Sequence, residues 1–314
     1  MKIRPKKSDQ FQHLHHLLCF FMFGGMIALL PWLPQKENPE SVWERVAVVG
    51  AVDAIAFWAG SQAMLGGGNP YDQSVIFEIE RAAQPWRVAP QPFLNPPWAL
   101  PLLFVFNTFG FDMSRLLWLF CNLFFIVGAS FFFSHQYANC SEEVGELPLL
   151  VAYIFLPLFH CVWIGQLSLL LTCSLAAALW SISRNRDILA GLLLLPLTMK
   201  PHLFLPLAVA LLVWMIKERR FNPLVSGTLG FISCCIVTLA IRPIVFSDWL
   251  ALDFDPRIFR TATLAGGIRE WVYFNYGDQV HWPLIAFPLL GIVGTFFALI
   301  RQKSFDLFRL FSPL

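Results

Sequence analysis

The chain has 314 residues, of which 57% are hydrophobic and 13% are charged, and its mean hydropathy is +0.62. A soluble domain carries about a quarter charged residues, so this composition excludes an ordinary soluble protein and indicates an integral membrane protein. The formal net charge is +2, and Lys and Arg occur in short clusters between apolar runs, which argues against a nucleic-acid partner.

The first apolar run follows a basic N-terminal head, MKIRPKKSDQFQHLHH, at residues 1–16. No small-residue cleavage site precedes PWLPQKENPE, so we expect a retained membrane anchor at 17–34 with the head in the cytoplasm. The apolar runs in chain order are 17–34, 96–110, 114–134, 147–164, 166–183, 188–199, 201–216, 222–241 and 282–300. The seven cysteines show neither metal-ligand nor disulfide spacing.

Three basic clusters decide which runs cross the membrane: RNR (184–186), KERR (217–220) and RQK (301–303). If every run crossed, all three clusters would face outward, against the positive-inside rule. The 96–110 run is flanked by prolines and short for a span. If it lies along the outer leaflet instead, all three clusters move to the cytoplasm.

This topology predicts an all-α polytopic membrane protein with about eight transmembrane helices in a single domain, residues 1–314. Residues 35–113 form a first outer loop with short outer-leaflet helices, and residues 243–281 form a second outer loop. A functional site formed by these loops would then face the outside of the cell membrane.

The runs 188–199 and 201–216 are too short for two full crossings at about 1.5 Å of rise per residue. We therefore expect the TMKPHLFLP segment, with Lys200 and His202 at its apex, to end below the outer surface. A cationic side chain at that depth is tolerated where it lines a wet cavity enclosed by protein.

Asp53 is the carboxylate of interest in the first outer loop. Ser41 and Glu44 form a capping box that predicts a helix start, and Gly66–Gly68 predict a helix end, so Asp53 falls within or at the start of a helix. Its neighbours at helical spacing offer no cationic partner, and a buried carboxylate must be partnered, protonated or in use. The glycines are not a phosphate loop, because no Gly-Lys-Ser/Thr follows them.

The order of Asp53, GGGNPYD, WIGQLSLLLTCSLAAALW and RNRDILAGLLLLPLTMKPHLFLPL resembles glycosyltransferase family 87, over roughly residues 45–220. These are membrane mannosyltransferase-like proteins of the GT-C superfamily. The resemblance implies a GT-C-like fold and inverting transfer of a hexose, mannose first among the candidates, to a glycan or glycolipid acceptor on the outer face. The donor would be a polyprenyl-phosphate sugar in the membrane lipid, with no further cofactor. Metal dependence and oligomeric state stay open.

The resemblance also implies roles for individual residues. Asp53 matches the loop Asp that acts as catalytic base, and its partner would be the acceptor hydroxyl, which arrives with substrate. The implied substrate- or donor-binding residues are Asn69, Tyr71 and Asp72 in the turn, Gln166 in the Gly-Gln pair, and Lys200 with His202 for the leaving phosphate. Asp72 is also suited to closing its turn through local hydrogen bonds. No metal ligands are predicted.

The second outer segment adds Arg257, Arg260 and Arg269, which are flanked by aromatic residues. Under the predicted topology they face the same compartment as Asp53. They either belong to a structural loop or bind the acceptor or the donor phosphate.

Two other classes of protein fit parts of the pattern. A transporter or flippase also carries intramembrane Lys and Asp beside broken helices, but one built from repeats would echo GGGNPYD around 243–281, and no echo occurs. A non-catalytic subunit of a membrane complex would tolerate replacement of Asp53.

Overall fold

The computed structural model of this protein describes residues 52–85, 87–137 and 156–252, together with scattered helical positions between 268 and 297. The predicted head at 1–16, the anchor at 17–34, the helix start at Ser41–Glu44 and most of the second outer loop lie outside the described residues. The helices described below therefore belong to the central part of the chain.

All regular structure in the described residues is helical. The helices are α1 (Val52–Leu65), α2 (Gln73–Ala83), α3 (Leu100–Asn107), α4 (Phe111–Tyr137), α5 (Leu156–Ile164), α6 (Ser168–Ser183), α7 (Asp187–Leu194), α8 (Pro201–Glu218), α9 (Asn222–Ile241) and α10 (Val245–Leu250). Two 3₁₀ segments, Pro97–Ala99 and Leu195–Met199, lead into α3 and follow α7.

Two helices in the described part are long and apolar enough to cross a membrane. They cover Phe111–Ala129 within α4 and Asn222–Ile241, which is α9, and both overlap predicted spans. On α9, Leu229 and Ile236 are 59% and 60% exposed in the isolated chain. A continuous exposed aliphatic face is unfavourable in water but fits contact with lipid. The membrane character agrees with the sequence, while the total of eight spans stays a prediction.

Helices α7 and α9 cross at a contact made by small residues. A Cβ added at Gly227 would lie 3.1 Å from the Gly191 carbonyl oxygen, and one added at Gly191 would overlap the Pro223 carbonyl. Glycines at such a crossing let two backbones approach closely, which is a common way for helices to pack in membranes. This contact fixes α9 against the short α7.

One end of the bundle joins the RNR and KERR loops. Arg220 forms an ion pair with Asp187 and donates a hydrogen bond of 3.1 Å to the Ile182 carbonyl. Arg184 also lies over the Trp180 ring, 5.5 Å from its centroid. The two basic clusters therefore lie at the same end of the bundle, as the predicted topology requires.

The 96–110 stretch forms only a 3₁₀ turn and the eight-residue α3. At about 1.5 Å per residue α3 covers about 12 Å, less than half of a bilayer core of about 30 Å. Asn107 at its end is buried, donates to the Ser61 hydroxyl at 3.2 Å, and accepts from the Gln62 amide at 2.6 Å. Helix α3 is thus held against α1, and its length agrees with the prediction that this stretch does not cross by itself.

The two segments that are predicted to lie outside the membrane meet at the glycine turn after α1. Arg242, which follows α9, donates to Asp248 of α10 at 2.6 Å and to the Gly67 carbonyl at 3.2 Å. Gly67 has a φ of +76°, and the helix ends at Leu65, as the glycines predicted. The residues at the junction of α9 and α10 therefore pack over the C-terminal end of α1.

Candidate functional site

The position of Asp53 is set by the residue beside it. Ala54 is buried against Gly165, so a Cβ added at Gly165 would come within 2.7 Å of the Ala54 Cβ. Gly165 has a φ of +72°, a conformation that costs a residue with a side chain about 1–2 kcal/mol. Only glycine at this position allows the N-terminal end of α1 to approach the turn so closely.

The turn itself is a Schellman-type end of α5. The Gln166 N–H donates to the Cys161 carbonyl at 2.9 Å and the Gly165 N–H donates to the Val162 carbonyl at 3.2 Å. The Trp118 indole from α4 donates to the Gly165 carbonyl at 2.6 Å. Two sets of hydrogen bonds therefore hold the Gly165–Gln166 backbone in one conformation.

The Gln166 side chain is oriented by two donors. Its Oε1 accepts from the Ser168 hydroxyl at 2.9 Å and from the Cys161 thiol at 3.7 Å. In this orientation the amide oxygen of Gln166 faces the hydroxyl of Ser168 and the thiol of Cys161. The two bonds hold the Gln166 side chain in one orientation beside the turn.

Lys200 lies at the break between the 3₁₀ segment and α8, as predicted. Its backbone, with φ −131° and ψ 67°, is not helical, and the Trp98 indole donates at 3.1 Å to the Thr198 carbonyl just before it. The half-buried Lys200 interacts electrostatically with Asp53 and with the Cys161 thiol. We name Asp53, Cys161, Gln166, Ser168 and Lys200 the Asp53 cluster.

This contact corrects one expectation. Asp53 was expected to have no partner until the acceptor arrives, because its neighbours along α1 carry no cation. The expectation is wrong, since Lys200 supplies a positive charge from a distant part of the chain. Helical spacing along α1 could not reveal Lys200, because Lys200 lies between the 3₁₀ segment Leu195–Met199 and α8.

The Asn69–Asp72 turn lies at the opposite end of α1 from Asp53. The twelve residues from Asp53 to Leu65 rise by about 18 Å along the helix. Asn69, Tyr71 and Asp72 therefore do not belong to the Asp53 cluster.

Local hydrogen bonds use the polar atoms of this turn. Asn69 Oδ1 accepts from the Tyr71 N–H, and the buried Tyr71 hydroxyl donates to the Asn95 carbonyl, both at 2.9 Å. Asp72 caps α2 by accepting from the N–H and hydroxyl of Ser74 at 2.9 and 2.6 Å, and these bonds lower the pKa of Asp72. Burial raises the pKa of Tyr71, helped by the charge of Asp248. The capping role of Asp72 agrees with the prediction that it closes its turn.

A small polar cavity of about 330 Å³ lies between the turn and the end of α10. Its lining is Asn69, Tyr71, Asp72, Gln73, Asp248, Ala251 and Leu252. The turn thus faces a space of its own, at the C-terminal end of α1.

Four predicted positions are not described. The side chain of His202 and the residues Arg257, Arg260 and Arg269 lie outside the described part of the structure. Their assignment stays a prediction.

Sequence reasoning missed several residues near the site. Cys161 was taken as one more apolar-run cysteine, and neither Ser168 nor Trp118 was singled out. The Gly-Gln break between two apolar runs could have indicated Cys161, since a Schellman turn brings the residue five positions before Gln166 next to it.

Sequence reasoning also missed the buried carboxylate Glu80, which ties down the loop after α2. Glu80 is fully buried, accepts from the Gln91 N–H at 3.0 Å, and pairs with Arg87 at 3.5 Å. Burial raises the pKa of Glu80. The loop leads to Phe93, whose ring would lie 2.6 Å from a Cβ at Gly60, so this loop packs tightly onto α1.

Comparison with known proteins adds one match. The model of glycosyltransferase family 87 matches residues 93–312, more than two thirds of the chain. The match includes Gln166 and Lys200, whereas Asp53 and the Asn69–Asp72 turn precede it. No curated protein and no solved structure matches the chain.

Proposed function

This chain belongs to glycosyltransferase family 87 and is a membrane glycosyltransferase, and we therefore propose that it transfers a hexose, mannose first, from a polyprenyl-phosphate carrier. The acceptor is a glycan or glycolipid at the outer face of the cell membrane. The GT-C-like fold and the inverting course belong to the same proposal.

The observation that carries this proposal is the approach of Asp53 to Lys200. A carboxylate and an ammonium group interact electrostatically beside a turn in which hydrogen bonds hold the Gln166 side chain. Sugar transfer from a phosphate carrier requires these two functions together: a base for the acceptor and a cation for the leaving group.

In the proposed reaction Asp53 takes the proton of the acceptor hydroxyl. The oxygen of that hydroxyl attacks the anomeric carbon on the face opposite the phosphate, so the new C–O bond forms as the old C–O bond to phosphate breaks. The electron pair of the broken bond stays on the phosphate oxygen, where Lys200 stabilises the negative charge. The sugar is transferred with inversion of configuration.

The attraction between Asp53 and Lys200 also couples donor binding to base function. Without donor, Lys200 stabilises the Asp53 carboxylate and makes it a weaker base. A donor phosphate competes for Lys200, so the carboxylate regains basicity when a leaving group is in place. Opposite charges in a partly dry site interact more strongly than in water, which makes this competition effective.

The other predicted positions take supporting roles in this proposal. Gln166 donates its amide N–H groups to the transferred sugar or to the phosphate, and His202 adds to the charge of Lys200. The cavity beside Asn69, Tyr71 and Asp72 lies too far from Asp53 for the reacting sugar, so these residues would contact the distal part of the acceptor. Arg257, Arg260 and Arg269 are proposed to bind acceptor or phosphate from the second outer loop.

Asp53→Asn tests the proposal most directly. The substitution keeps the size and hydrogen-bonding shape but cannot take a proton, so we expect transfer to fall by roughly 10²–10⁴-fold, the usual contribution of a general base. The assay measures mannose transfer from a synthetic polyprenyl-phosphate mannose to extracted membrane acceptors by purified protein in lipid nanodiscs. Protein yield and Tm are measured in parallel.

Asp112→Asn is the matched control, because Asp112 is an 83% exposed carboxylate at the start of α4. It should retain wild-type transfer. Two results would reject Asp53 as the base: full activity of Asp53→Asn, or a loss of activity only in proportion to the folded fraction. Either result would favour the alternative that the protein is a transporter or flippase.

The outward orientation of the site needs its own test. Asn107 is buried, so Thr108→Cys, at an exposed neighbour, and Ser183→Cys, exposed beside the RNR cluster, are the labelling positions. We expect a membrane-impermeant maleimide to label position 108 in intact cells and position 183 only after permeabilisation, above the signal of the seven native cysteines. External labelling of position 183 would reverse the orientation and move the Asp53 cluster to the cytoplasmic side.

A further inference from the structure

We infer that the groove between α8 and α9 binds the hydrocarbon chain of the lipid-linked donor, with the donor phosphate at the end of the groove beside Lys200. This inference rests on the proposed function and extends it to the recognition of the lipid. The groove encloses a cavity of about 450 Å³ and is lined by α7, its following 3₁₀ segment, α8, α9 and Trp98.

The lining is suited to a hydrocarbon and not to a sugar. Among the described lining residues, only Trp98, Thr198 and Thr228 carry a side-chain N–H or O–H group. The Trp98 N–H already donates to the Thr198 carbonyl, and the Thr198 hydroxyl donates to the Leu195 carbonyl at 2.7 Å. A polar group placed here would lose its hydration and find few hydrogen-bond partners, the Thr228 hydroxyl among them, whereas a hydrocarbon gains contact with leucine and phenylalanine.

The shape of the groove is that of a long channel rather than a compact pocket. Its α8 wall extends from Pro201 to Met215, which corresponds to about 21 Å along the helix. The crossing of Gly191 and Gly227 lies along its floor. A single extended chain fits such a space better than a ring system.

The groove is open on the side that would face lipid. Leu205 and Leu212 on α8 are 40% and 42% exposed, and Leu224 on α9 is 43% exposed. These three residues line the groove while keeping part of their surface outside it. A chain can therefore enter sideways from the bilayer, without leaving the hydrocarbon region.

One end of the groove lies next to Lys200 in the chain. Thr198 and Pro201 line it, and Lys200 lies between them in the chain. A polyprenyl phosphate has one anionic group at one end of a hydrocarbon chain, which matches a cation at one end of an apolar channel. This complementarity selects a phosphate-bearing chain over the acyl chain of a neutral lipid and over the apolar run 282–300 of this protein.

The test compares two neighbouring positions on α9. Leu224→Trp fills the groove, whereas Val225→Trp adds the same ring at a 54% exposed position that does not line it. Both proteins are assayed in nanodiscs with mannose donors that carry either a two-isoprene or an eleven-isoprene chain. We expect Leu224→Trp to raise KM for the long donor by roughly tenfold or more, as several methylenes lose contact, with little change for the short donor. Val225→Trp should behave as wild type with both.

A binding measurement separates this inference from the proposed function. Polyprenyl phosphates of the same two lengths, without sugar, are titrated against a fluorescent long-chain phosphate. Selective loss of long-chain binding in Leu224→Trp supports the groove even if no sugar transfer occurs. Equal binding of both lengths to wild-type protein, or equal loss of both in Leu224→Trp, overturns it.

A second variant covers the case in which Leu224→Trp does not fold. Ala208→Phe narrows the groove from its α8 wall and is judged by the same ratio of long-chain to short-chain KM. If the groove is instead filled by the run 282–300, both variants lower Tm and leave that ratio unchanged, which overturns the inference.

Discussion

The two ends of helix α1 both carry residues of the motif, but their polar groups are used in different ways. At the C-terminal end, Asn69 and Asp72 bond within the turn and the start of α2, and the Tyr71 hydroxyl donates to the Asn95 carbonyl. At the N-terminal end, Asp53 meets Lys200 from another part of the chain. Local hydrogen bonds make the first end a stable turn, and tertiary contacts make the second end a candidate site.

The two ends of α1 separate polar residues that stabilise a turn from charged residues that can act on a ligand. Polar residues that bond to the backbone and hydroxyl groups around them first of all stabilise the turn, so their loss costs stability. Charges that are brought together by packing are desolvated, and a charge in a partly dry space interacts strongly with whatever enters. The contrast between the two ends predicts that substitutions at Asp53 and Lys200 affect transfer, while substitutions in the turn affect stability.

After Asp53→Asn, replacement of Lys200 gives the largest expected effect in this comparison. We expect Lys200→Ala to reduce kcat for mannose transfer by roughly 10²–10³-fold, as does loss of one preorganised group that stabilises developing charge. Lys200→Arg should keep part of the activity, because the charge remains. Lys217→Ala, at an exposed lysine on the same helix, is the control. Wild-type transfer by Lys200→Ala would remove this lysine from the site and favour the outer-loop arginines.

Gly165→Ala tests whether the close approach of α1 positions Asp53. The added methyl overlaps the Ala54 Cβ and disfavours the positive φ, so α1 should move, and a shift of about 1 Å can reduce the rate by about 10²-fold. Ala54→Gly in the same protein removes the overlap and should restore part of the activity. Gly110→Ala, where a Cβ meets open space, should be harmless.

The double variant Gly165→Ala with Ala54→Gly shows why Gly165→Ala loses transfer activity. Transfer rates and Tm are measured for the single and double variants. If the double variant is no more active than Gly165→Ala alone, the packing of Ala54 on Gly165 does not position the carboxylate, and backbone strain in the turn is the better explanation.

Tyr71→Phe gives the smallest expected effect on transfer. It removes the hydroxyl that donates to the Asn95 carbonyl and leaves a buried acceptor unpaired, which should cost about 1–3 kcal/mol of stability. Transfer per folded molecule should stay near the wild-type rate. Tm in detergent and the transfer rate are compared directly. A large fall in kcat at an unchanged Tm would mean that the turn belongs to the reacting site after all.

Local features of the sequence were sufficient for much of the fold. Apolar runs predicted the helices at 114–134 and 222–241, glycines predicted the end of α1, and the shortness of the runs 188–199 and 201–216 predicted the break at Lys200. Hydropathy, glycine and proline act over a few residues, so their structural consequences can be deduced without knowledge of the rest of the chain. The same patterns supported the family assignment, which the match over residues 93–312 confirmed.

The arrangement of the site depended on the tertiary structure. The sequence marked Asp53, Gln166 and Lys200 but could not show that Lys200 is the charge near Asp53, or that the Asn69–Asp72 turn lies about 18 Å away along α1. Nor could it show the positions of Cys161 and Ser168. These relations arise because Gly165 lets one helix approach a distant turn, and such an approach depends on the packing of separate segments rather than on any one of them.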